Sequence, residues 1–520
     1  MLSCRIDLRD ASADRWRWHG GKLVRGASWV RPVIHPTVLV TVSQDADRTR
    51  LVIQERAYQD HATDADIAGV ANGGDQLEAV VGSGSARFTA GVGGTAPLYL
   101  TMAGGIVYGS WHLPDLRRHT NTERLLDRAV ARVLTRQLRY SSDTLFQDIV
   151  MVTERATATA TPAGITVGLP PAAQHVIAAR QPRGGTNVVE AFETLLASAV
   201  SRAVPPGMRI GIELSGGVDS ANVALTLARH ATAITCFGLL LDDLTDIRGE
   251  QGQDCRRQAV VSMLGLPDIT VQASKHPPFV PGGIRCRGVA HDPGAAFYRE
   301  AFDALRDAAA GNVDIMMTGL GGDELLALPA TETAARSPRI APNVNQRSTD
   351  VPWLGPRAQV ALADVNTNLA PVPVLPLPTL MSFALHNPAY LQAGIWPISP
   401  LTDPRLLRFG EQLPFVWRRD KTLLRERLRC AGLPSYVYRP DRPETFSPLM
   451  QLGLRRYGLD LTRHMLNESL LIDAGYIDYT QFAAIYEAAV GAAQIPSLLC
   501  DAIALELGLR SLTTHPLLPT

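Results

Sequence analysis

The sequence predicts two domains: an α+β N-terminal domain and an α/β C-terminal domain with a parallel sheet. Residues 1–120 contain short β-like runs separated by glycines, a pattern typical of antiparallel sheets. From residue 187 onward, apolar strand-like runs alternate with segments of helical period, which indicates right-handed βαβ units. Turn-forming residues at 181–187 mark the junction, so we expect domains at 1–183 and 187–520.

Composition and charge restrict the class of protein. The chain has 520 residues with 50 basic and 50 acidic side chains, so it offers neither a basic footprint for nucleic acid nor a polybasic membrane signal. No run reaches the ~18 apolar residues of a membrane-spanning helix, and the charged N-terminus does not resemble a signal peptide. Six cysteines without a CxxC pair indicate reducing surroundings. We therefore expect a soluble cytoplasmic protein without nucleic-acid or membrane partners.

In the N-terminal half, the predicted strands follow runs rich in β-branched and aromatic residues. The segment from Pro97 predicts a hairpin, because two apolar runs flank Ala103-Gly104-Gly105 and glycine tolerates the positive φ of a tight turn. Residues 121–140 have apolar side chains at 3.6-residue spacing and predict a helix. Strands return over residues 148–169.

In the C-terminal half, helices and strands alternate, beginning with a helix. The predicted segments are 188–204, 208–214, 220–230, 232–241, 248–266, 268–274, 296–312 and 313–320. Residues 327–378 interrupt this pattern with many prolines, and a stretch of this kind is typical of a lid or a disordered segment. Helices resume after it and continue to the C-terminus.

The first candidate site is Ser215-Gly216-Gly217-Val218-Asp219-Ser220, where a predicted strand meets a helix. Two glycines let the backbone fold closely around an anion, and the helix directs its free amides and positive dipole to the same point. A carboxylate beside an anion indicates a cation, so Asp219 is a candidate ligand of phosphate-bound Mg²⁺. The alternative is an ordinary strand–turn–helix corner, but the whole string in this context favours a nucleotide site.

The second candidate site is Thr318-Gly319-Leu320-Gly321-Gly322-Asp323-Glu324, at the end of another apolar strand. Taken alone, its last four residues are typical of a solvated turn with an aspartate at a helix N-cap. Parallel strands end at the same edge of a sheet, so the two acidic turns are expected to be neighbours. We therefore predict that Asp219 and Asp323 share one metal ion.

These motifs resemble those of a known superfamily. The first string lacks the Lys-Ser/Thr pair of a Walker motif and resembles the PP-loop of ATP pyrophosphatases, which cleave ATP between the α and β phosphates. With TGLGGDELL it resembles the synthetase domain of class B asparagine synthetases. Segments 396–414 and 420–434 resemble the last helices of that family, and 93–116 the end of its glutaminase-like domain. The resemblance implies an Ntn-hydrolase-like domain followed by a PP-loop synthetase domain with added helices.

The resemblance also implies roles for individual residues, with ATP and Mg²⁺ as cofactors. The pyrophosphate loop would comprise Ser215, Gly216, Gly217, Asp219 and Ser220. The adenosine would be enclosed by Leu214, Leu239, Thr318 and Gly319. Asp219 and Asp323 correspond to the Mg²⁺ ligands, and Lys421 to a lysine that neutralises charge during adenylation and amide formation. These last three residues form the predicted catalytic set.

The N-terminal half departs from the family pattern. Family glutaminases use a cysteine exposed directly after removal of Met1, whereas this chain has Leu2 and a displaced Cys4. We expect a degenerate domain that does not hydrolyse glutamine, so the amine comes from another source. Relatives with this loss include β-lactam synthetases and lasso-peptide cyclases, in which an amine of the substrate itself attacks the acyl-adenylate.

Leu320 narrows the class of substrate. At this position β-lactam synthetases carry Tyr and asparagine synthetases usually carry Glu. The resemblance therefore points first to lasso-peptide cyclases, and it implies an ATP-dependent ligase that closes a macrolactam in a peptide. A leader-peptide-binding protein and a protease are implied partners. The alternatives are a small-molecule amide ligase, a β-lactam-synthetase-like enzyme and an ammonia-dependent asparagine synthetase.

Three smaller features complete the predictions. Residues 352–354 (PWL) are a candidate wall of the substrate cavity. Prolines and acids around Arg439 and Arg442 argue against a phosphate-binding role there, and Asp292 is predicted to cap the following helix. A tRNA-modifying enzyme would need a basic face and paired cysteines, and a non-catalytic relative would lack part of the catalytic set. The sequence favours neither class.

Overall fold

The computed structural model describes residues 1–10, 15–45, 47–57, 74–176, 181–244, 252–294, 298–328, 351–441, 444–513 and 518. Three large sheets organise these residues. Two are antiparallel and belong to the N-terminal half, and one is parallel and belongs to the C-terminal half. The predicted change from antiparallel to parallel sheet along the chain is confirmed.

The N-terminal half is built from two antiparallel sheets. The strands of the first are β1 (Leu2–Asp7), β2 (Arg17–His19), β3 (Lys22–Arg25), β4 (Ser28–Pro32), β9 (Leu98–Ala103), β10 (Ile106–Ser110) and β11 (Val150–Val152). The strands of the second are β5 (Val38–Gln44), β6 (Arg48–Glu55), β7 (Gln76–Gly82), β8 (Ser85–Ala90), β12 (Thr157–Thr161) and β13 (Gly164–Gly168). Their orders are β11-β9-β10-β1-β4-β3-β2 and β13-β12-β8-β7-β6-β5.

Alternating burial explains how these sheets pack. In β1 every second residue, from Leu2, is buried, as expected for a strand with one face in the core. Leu2 and Phe88 of β8 belong to the same buried cluster, so the two sheets share a core. The predicted hairpin is confirmed: Gly104 and Gly105 join β9 to β10 with φ of +55° and +78°. Positive φ at both positions is the requirement of a type I′ turn.

The helix predicted over residues 121–140 is shorter in the structure. Helix α1 covers Asp127–Leu134. Before it, Leu125 forms an antiparallel bridge with Phe146. After it, Arg136 has φ of +53°, a left-handed value that a helix cannot continue through. The apolar spacing extends past both ends, but the tertiary bridge and the left-handed residue limit the helix.

The C-terminal half contains a five-stranded parallel sheet. Its strands are β14 (Ile210–Glu213), β15 (Ile234–Leu240), β16 (Asp268–Gln272), β17 (Ile315–Met317) and β18 (Trp396–Ile398), in the order β16-β15-β14-β17-β18. The four predicted strands, which correspond to β14–β17, are confirmed. The sequence does not predict β18, because a three-residue strand with Pro397 at its centre lacks a strand pattern. Its place at the sheet edge is where a proline is tolerated.

The described residues of the C-terminal half contain the following α-helices, and those next to the sheet cover both of its faces. They are α2 (Val188–Ala203), α3 (Val218–Leu227), α4 (Gln253–Leu264), α5 (Arg299–Ala309), α6 (Gly322–Leu325), α7 (Pro356–Ala361), α8 (Leu377–Gln392), α9 (Pro404–Gln412), α10 (Phe415–Arg418), α11 (Thr422–Cys430), α12 (Ser435–Tyr438), α13 (Ser447–Gly453), α14 (Leu459–Asn467), α15 (Leu470–Asp473), α16 (Tyr479–Ala489) and α17 (Leu499–Leu512). Val223 of α3 and Val260 of α4 share a cluster with Ile212, whereas Leu305 of α5 shares another with Phe237. The four predicted helices of the alternation are thus present as α2–α5, with shifted ends.

The proline-rich stretch 327–378 is in part an ordered connection. Its residues 351–378 contain α7, and Trp353 is 1% exposed and packs edge-on against Phe482 among the last helices. The prediction of a structureless stretch is wrong for these residues, because several of their apolar side chains, among them Val351, Leu354 and Leu375, are buried. Trp353 and Leu354, from the candidate cavity wall, are both buried in the cluster formed by the last helices. Residues 329–350 lie outside the described residues.

Residues 351–376, which we call the strap, are bound to the N-terminal half. Arg132 of α1 is buried and donates to the carbonyls of Val365 and Thr367 at 2.9 and 2.7 Å. The buried Glu154 carboxylate accepts the amides of Val374 and Leu375. Buried charged groups need such partners, so the strap ties the two halves together.

The last helices form a second core. Every residue of α17 is buried, and its apolar side chains pack with those of α14–α16. The predicted return to helices is confirmed. Within the described residues, no helix is both long and apolar enough to cross a membrane.

Candidate active site

The candidate site lies where the neighbouring strands β14 and β17 end. From β14 the chain crosses through α3 to β15 on one side, while β18 lies beyond β17 on the other side. Loops that diverge from such a pair leave a crevice at the carboxyl edge, which is where open α/β sheets bind ligands. Both predicted motifs, 215–220 and 318–324, begin at this edge.

The first loop, residues 215–217, leads from β14 into the N-terminus of α3, and its Gly217 amide donates to Ser215 Oγ at 3.3 Å. Gly216 has φ of +83°, a left-handed value that favours glycine, and a Cβ there would lie 2.9 Å from the Gln253 carbonyl oxygen. Gly217 precedes α3 without a side-chain cap. The amides of Gly216 and of the first two residues of α3 have no partner in the described part of the chain. A helix N-terminus of this kind favours an anion.

Two serines hold the first loop closed. Ser220 Oγ accepts the Ser215 amide at 3.2 Å and lies 3.1 Å from Ser215 Oγ. It also donates to the Gly217 carbonyl. Ser220 is buried and Ser215 is exposed, so of these two hydroxyls only that of Ser215 faces solvent. Either serine would have to exchange hydrogen-bond partners to become a phosphate ligand.

The second loop, residues 318–322, packs directly on the first motif. A Cβ at Gly319 would lie 2.8 Å from the Ser220 amide nitrogen, and one at Gly322 would lie 2.4 Å from Asp219 Cγ. Real Cβ atoms do not approach other atoms this closely, because packed interiors leave no spare volume. The glycines therefore bring the two motifs into van der Waals contact.

A lysine joins the carboxylates of the two motifs. Lys421 Nζ lies 2.5 Å from Asp219 Oδ2 and 2.7 Å from Asp323 Oδ1. Burial raises the pKa of Asp219, and Lys421 offsets this only in part. Burial lowers the pKa of Lys421, but the two carboxylates outweigh it and the pKa is raised. The pKa of the adjacent Glu324 is raised, mainly by burial. The ammonium and both carboxylates thus form one charged cluster at the crevice.

A strained turn positions this lysine. Asp420 and Lys421 have φ of +51° and +55°, and a left-handed conformation costs a residue other than glycine on the order of 1–3 kcal/mol. Arg425 supports the turn, because its Nε donates to the Asp420 carbonyl at 2.5 Å. Thr422, which opens α11, donates to the Arg419 carbonyl. The left-handed turn therefore places Lys421 next to the two carboxylates, at a cost in conformational energy.

Asp219 offers an atom that suits a divalent cation. Its Oδ1 is buried and makes no hydrogen bond with any described residue, whereas its Oδ2 accepts from Lys421. The Asp323 side chain is 82% exposed and opens to solvent. Mg²⁺ is commonly held by one or two such carboxylates, with water and phosphate oxygens as its other ligands. Among the described residues no group of three or more His, Cys, Asp or Glu side chains is arranged for a metal, so a nucleotide would have to supply ligands.

Both motifs fall within one region that matches a known family. Residues 191–363 match the asparagine synthase family model. This asparagine synthase segment includes Asp219 and Asp323 but ends before Lys421. No curated protein matches the chain.

Among 54 matching chains of solved structures is glutamine phosphoribosylpyrophosphate amidotransferase from B. subtilis, complexed with ADP and GMP. The alignment has a TM-score of 0.17 and 9% identity, and covers 58% of this chain and 64% of that chain. The chain thus spans less than two thirds of that protein. A TM-score this low supports no conclusion about function.

Within the asparagine synthase segment, the predicted adenosine residues do not form one side-chain pocket. Leu214 and Leu239 are both buried, but they belong to different apolar clusters on the two faces of the sheet. Thr318 is also buried, and its Oγ1 lies 2.8 Å from Ser399 Oγ. An adenosine bound here would therefore contact mainly the backbone atoms of these residues. The residues that the structure brings together are Ser215, Gly216, Gly217, Asp219, Ser220, Gly319, Asp323 and Lys421.

Three further residues of the asparagine synthase segment hold the first loop from behind. Gln253, Arg256 and Arg257 of α4 all donate to carbonyls of residues 214–216. Sequence reasoning misses them. The available signal is a pair of arginines on a helix that must pack against a sheet, since arginine is almost never fully buried without a partner.

The cysteine near the N-terminus is a core residue. Cys4 is 2% exposed, and burial raises its pKa to about 12. A Cβ added at Gly109 on the neighbouring strand would lie 2.8 Å from its sulfur. A thiol that is buried and protonated is a poor nucleophile.

Two smaller predictions have different outcomes. Asp292 accepts the Gly294 amide at 2.9 Å, but α5 begins only at Arg299. The predicted helix cap is therefore wrong, because the aspartate closes a local turn instead. Arg439 is exposed and contacts no acidic group of the candidate site. Arg442 lies outside the described residues.

Proposed function

We propose that the chain is an ATP-dependent ligase that forms an amide bond through an acyl-adenylate and releases AMP and pyrophosphate. The observation that carries the proposal is the position of Lys421 between Asp219 and Asp323, at the uncapped N-terminus of α3. Charged groups fixed before the reaction are the usual means of stabilising the charge that develops in it. The match of residues 191–363 to asparagine synthase supports the same reaction class.

In the first half-reaction, a carboxylate oxygen of the substrate attacks the α-phosphorus of ATP. The bond between the α-phosphorus and the bridging oxygen breaks, and pyrophosphate leaves with that oxygen. The amides of the first loop and of the α3 N-terminus would bind the departing phosphates. Mg²⁺ bound to Asp219 and Asp323 would supply neutralising charge to the phosphates. Lys421, then free of one carboxylate, would donate to an oxygen of the α-phosphate.

In the second half-reaction, a neutral amine nitrogen attacks the acyl carbon, forms the carbon–nitrogen bond and releases a proton to solvent. A tetrahedral oxyanion forms, and its collapse breaks the bond between the acyl carbon and the AMP oxygen. Both the oxyanion and the departing AMP carry negative charge near Lys421. One preorganised donor at such a point contributes on the order of 10²–10³ in rate.

We further propose that the substrate is a peptide whose own amine closes a macrolactam, as in lasso-peptide cyclases. The burial of Cys4 supports an amine source other than glutamine. Leu320 is half-buried and supplies no acid–base group at the position where β-lactam synthetases carry Tyr. The N-terminal half would then be a degenerate Ntn-hydrolase-like domain kept as a scaffold. A leader-peptide-binding protein and a protease are the proposed partners.

The test is release of AMP and pyrophosphate from Mg-ATP, with Asp219→Ala as the control. Candidate precursor peptides are compared with aspartate plus ammonium. Peptide-dependent AMP release and a product lighter by one water would support macrolactam formation. Turnover with aspartate and ammonium would instead indicate an ammonia-dependent asparagine synthetase. ADP instead of AMP as the product would contradict the acyl-adenylate.

A further inference from the structure

Helix α4 binds three consecutive backbone carbonyls at the start of the first motif. Arg257 Nε donates to the Leu214 carbonyl at 2.5 Å, Gln253 Nε2 to the Ser215 carbonyl at 2.8 Å, and Arg256 Nε to the Gly216 carbonyl at 3.2 Å. The three donors lie on adjacent turns of one helix face. No other segment among the described residues supplies side-chain donors to these carbonyls.

These donors are themselves fixed in place. Gln253, Arg256 and Arg257 are 5%, 1% and 0% exposed. Arg257 forms an ion pair with Asp268 at 2.5 Å, and Arg256 forms one with Glu444. Buried guanidinium groups with this number of partners lose little entropy on binding a further acceptor. The helix therefore presents a rigid set of donors to the loop.

A glycine on the neighbouring strand opens the path that Arg257 takes. A Cβ at Gly238 would lie 2.1 Å from Arg257 Cζ, so the guanidinium rests directly on the backbone of β15. Gln253 also bridges to this strand, since its Nε2 donates to the Leu239 carbonyl and its Oε1 accepts the Leu241 amide. Helix α4 thus fixes the position of the first loop relative to the sheet.

Binding of the carbonyls has a consequence for the amides. A peptide unit is planar, so a carbonyl turned toward α4 sends the amide of the next residue in the opposite direction. With the carbonyls of Ser215 and Gly216 held on one side, the amides of Gly216 and Gly217 point to the other, and the Gly217 amide donates to Ser215 Oγ at 3.3 Å. The Gly216 amide is among those without a partner in the described residues. At this point the loop therefore presents the Gly216 N–H donor to the open crevice, and its carbonyl oxygens face away.

We propose that Gln253, Arg256 and Arg257 are positioning residues that preset the first loop as an anion cradle for the pyrophosphate part of ATP. This inference rests on the proposed function for the identity of the anion. The side chains act through the backbone and do not touch the ligand. Without them the loop is free to turn a carbonyl toward the phosphates, where it would repel them.

The experiment measures binding of inorganic pyrophosphate and of Mg-ATP by calorimetry in the full chain. Gln253→Glu keeps the shape of the side chain but replaces the donor facing two carbonyls with an acceptor, and Arg257→Gln removes the ion pair and shortens the donor. The matched control is Arg132→Gln, because Arg132 is also buried, donates to a backbone carbonyl and pairs with an aspartate, Asp143. Thermal unfolding is recorded for each variant, and Arg257→Lys tests rescue by the conservative change.

We expect the dissociation constant for both anions to rise at least tenfold in Gln253→Glu and Arg257→Gln at temperatures where the variants are fully folded. Arg132→Gln should stay within twofold of the original chain although it is less stable, and Arg257→Lys should recover part of the affinity. Equal affinities in folded variants and in the original chain would overturn the cradle. If Arg257→Gln does not fold, the dissociation constants of Gln253→Glu alone decide whether the cradle is correct.

The same variants, measured also for AMP release from Mg-ATP, separate the cradle from the proposed function. Pyrophosphate binding that the variants weaken, in a chain that never forms AMP, would leave the cradle standing and overturn the ligase. AMP formation with unchanged pyrophosphate affinity in both variants would leave the ligase standing and overturn the cradle. A chain that binds neither pyrophosphate nor Mg-ATP would overturn both.

Discussion

Asp219 and Lys421 meet at 2.5 Å although they are 202 positions apart in the chain. The contact depends on the packing of α3 against α11, where Asn222 donates to the Leu424 carbonyl and Arg427 donates back to Asn222. Both charged side chains keep about a fifth of their surface exposed, so the pair is open to a ligand. The ion pair therefore assembles the charged centre of the crevice before any nucleotide arrives.

Removal of the lysine charge tests this centre directly. Lys421→Met keeps an unbranched side chain and leaves the two aspartates without their cation. We expect the rate of AMP formation to fall by about 10²–10³, the effect of losing one preorganised donor. The matched control is Lys22→Met, since Lys22 lies over the Trp29 ring in the N-terminal half. Rates within threefold of each other in the two variants would contradict the role of Lys421.

The free Oδ1 of Asp219 leads to a prediction about magnesium. Asp219→Asn keeps the shape of the side chain but replaces its charge, so it should bind Mg²⁺ more weakly. We expect the Mg²⁺ concentration that gives half the ATP-induced rise in melting temperature to increase at least tenfold. Asp314→Asn is the control, because Asp314 pairs with Arg209 on the surface. The same Mg²⁺ dependence in both variants would exclude Asp219 as a ligand.

The sequence predicts the fold class and both loops because these depend on local patterns. Alternating strands and helices give β14–β17 and α2–α5, and glycines beside an aspartate mark each turn at a strand end. Parallel strands share an edge, so the proximity of Asp219 and Asp323 follows from topology alone. The same reasoning finds the hairpin at Gly104-Gly105, since its turn type demands two positive φ values.

Features that depend on contacts between distant residues cannot be predicted from local sequence patterns. Residues 121–140 have the spacing of one long helix, but the bridge from Leu125 to Phe146 shortens it. The strap resembles a loop in composition, and its order comes from Arg132 and Glu154 in the other half of the chain. The arginines of α4 look like surface charges until the loop they bind is in place. Each case involves a partner that no local pattern specifies.

The close packing of the two loops makes Gly322 a sensitive position. A Cβ there would lie 2.4 Å from Asp219 Cγ. Gly322→Ala should push Asp219 away from Lys421, with a destabilisation of about 1–3 kcal/mol from overpacking and loss of AMP formation. Gly184→Ala is the control, because among the described residues no atom beyond its chain neighbours lies within 4 Å of that Cβ position. Urea unfolding and the AMP assay check both variants, and wild-type activity in Gly322→Ala would show that the contact is dispensable.

The segment that joins the two halves carries a contact that depends on pH. His175 Nδ1 lies 2.5 Å from Glu411 Oε1 of α9, and His175 Nε2 lies 2.8 Å from the Pro373 carbonyl of the strap. Both partners are acceptors, so only the imidazolium donates to both. The hydrogen bond to Glu411 is the main reason that the pKa of His175 is raised. Burial raises the pKa of Glu411, but the hydrogen bonds from His175 and from the Val176 amide, with the charges of His175 and Arg408, outweigh it and the pKa is lowered.

The signs of these shifts define a pH window for stability. A raised histidine pKa gives stabilisation that is complete below the ordinary value of 6.5 and is lost as pH rises through the folded-state pKa. A lowered glutamate pKa gives stabilisation that is complete above the ordinary value of 4.5 and is lost as pH falls. Arg408 and Glu154 also act on this pair, and with opposite charges. The contact should therefore stabilise the chain most between about pH 4.5 and 6.5.

We expect His175→Gln to lower the free energy of unfolding at pH 5.5 and to change it little at pH 8.5. The difference should be below about 1 kcal/mol, because the pair is partly exposed and screened by solvent. His112→Gln is the matched control, since His112 pairs with Asp115 at 3.0 Å on the N-terminal half and does not join the two halves. Urea unfolding at both pH values, with limited proteolysis of the junction at 181–187, gives the measurement. If His175→Gln loses the same stability at both pH values, the contact is structural and does not respond to protonation.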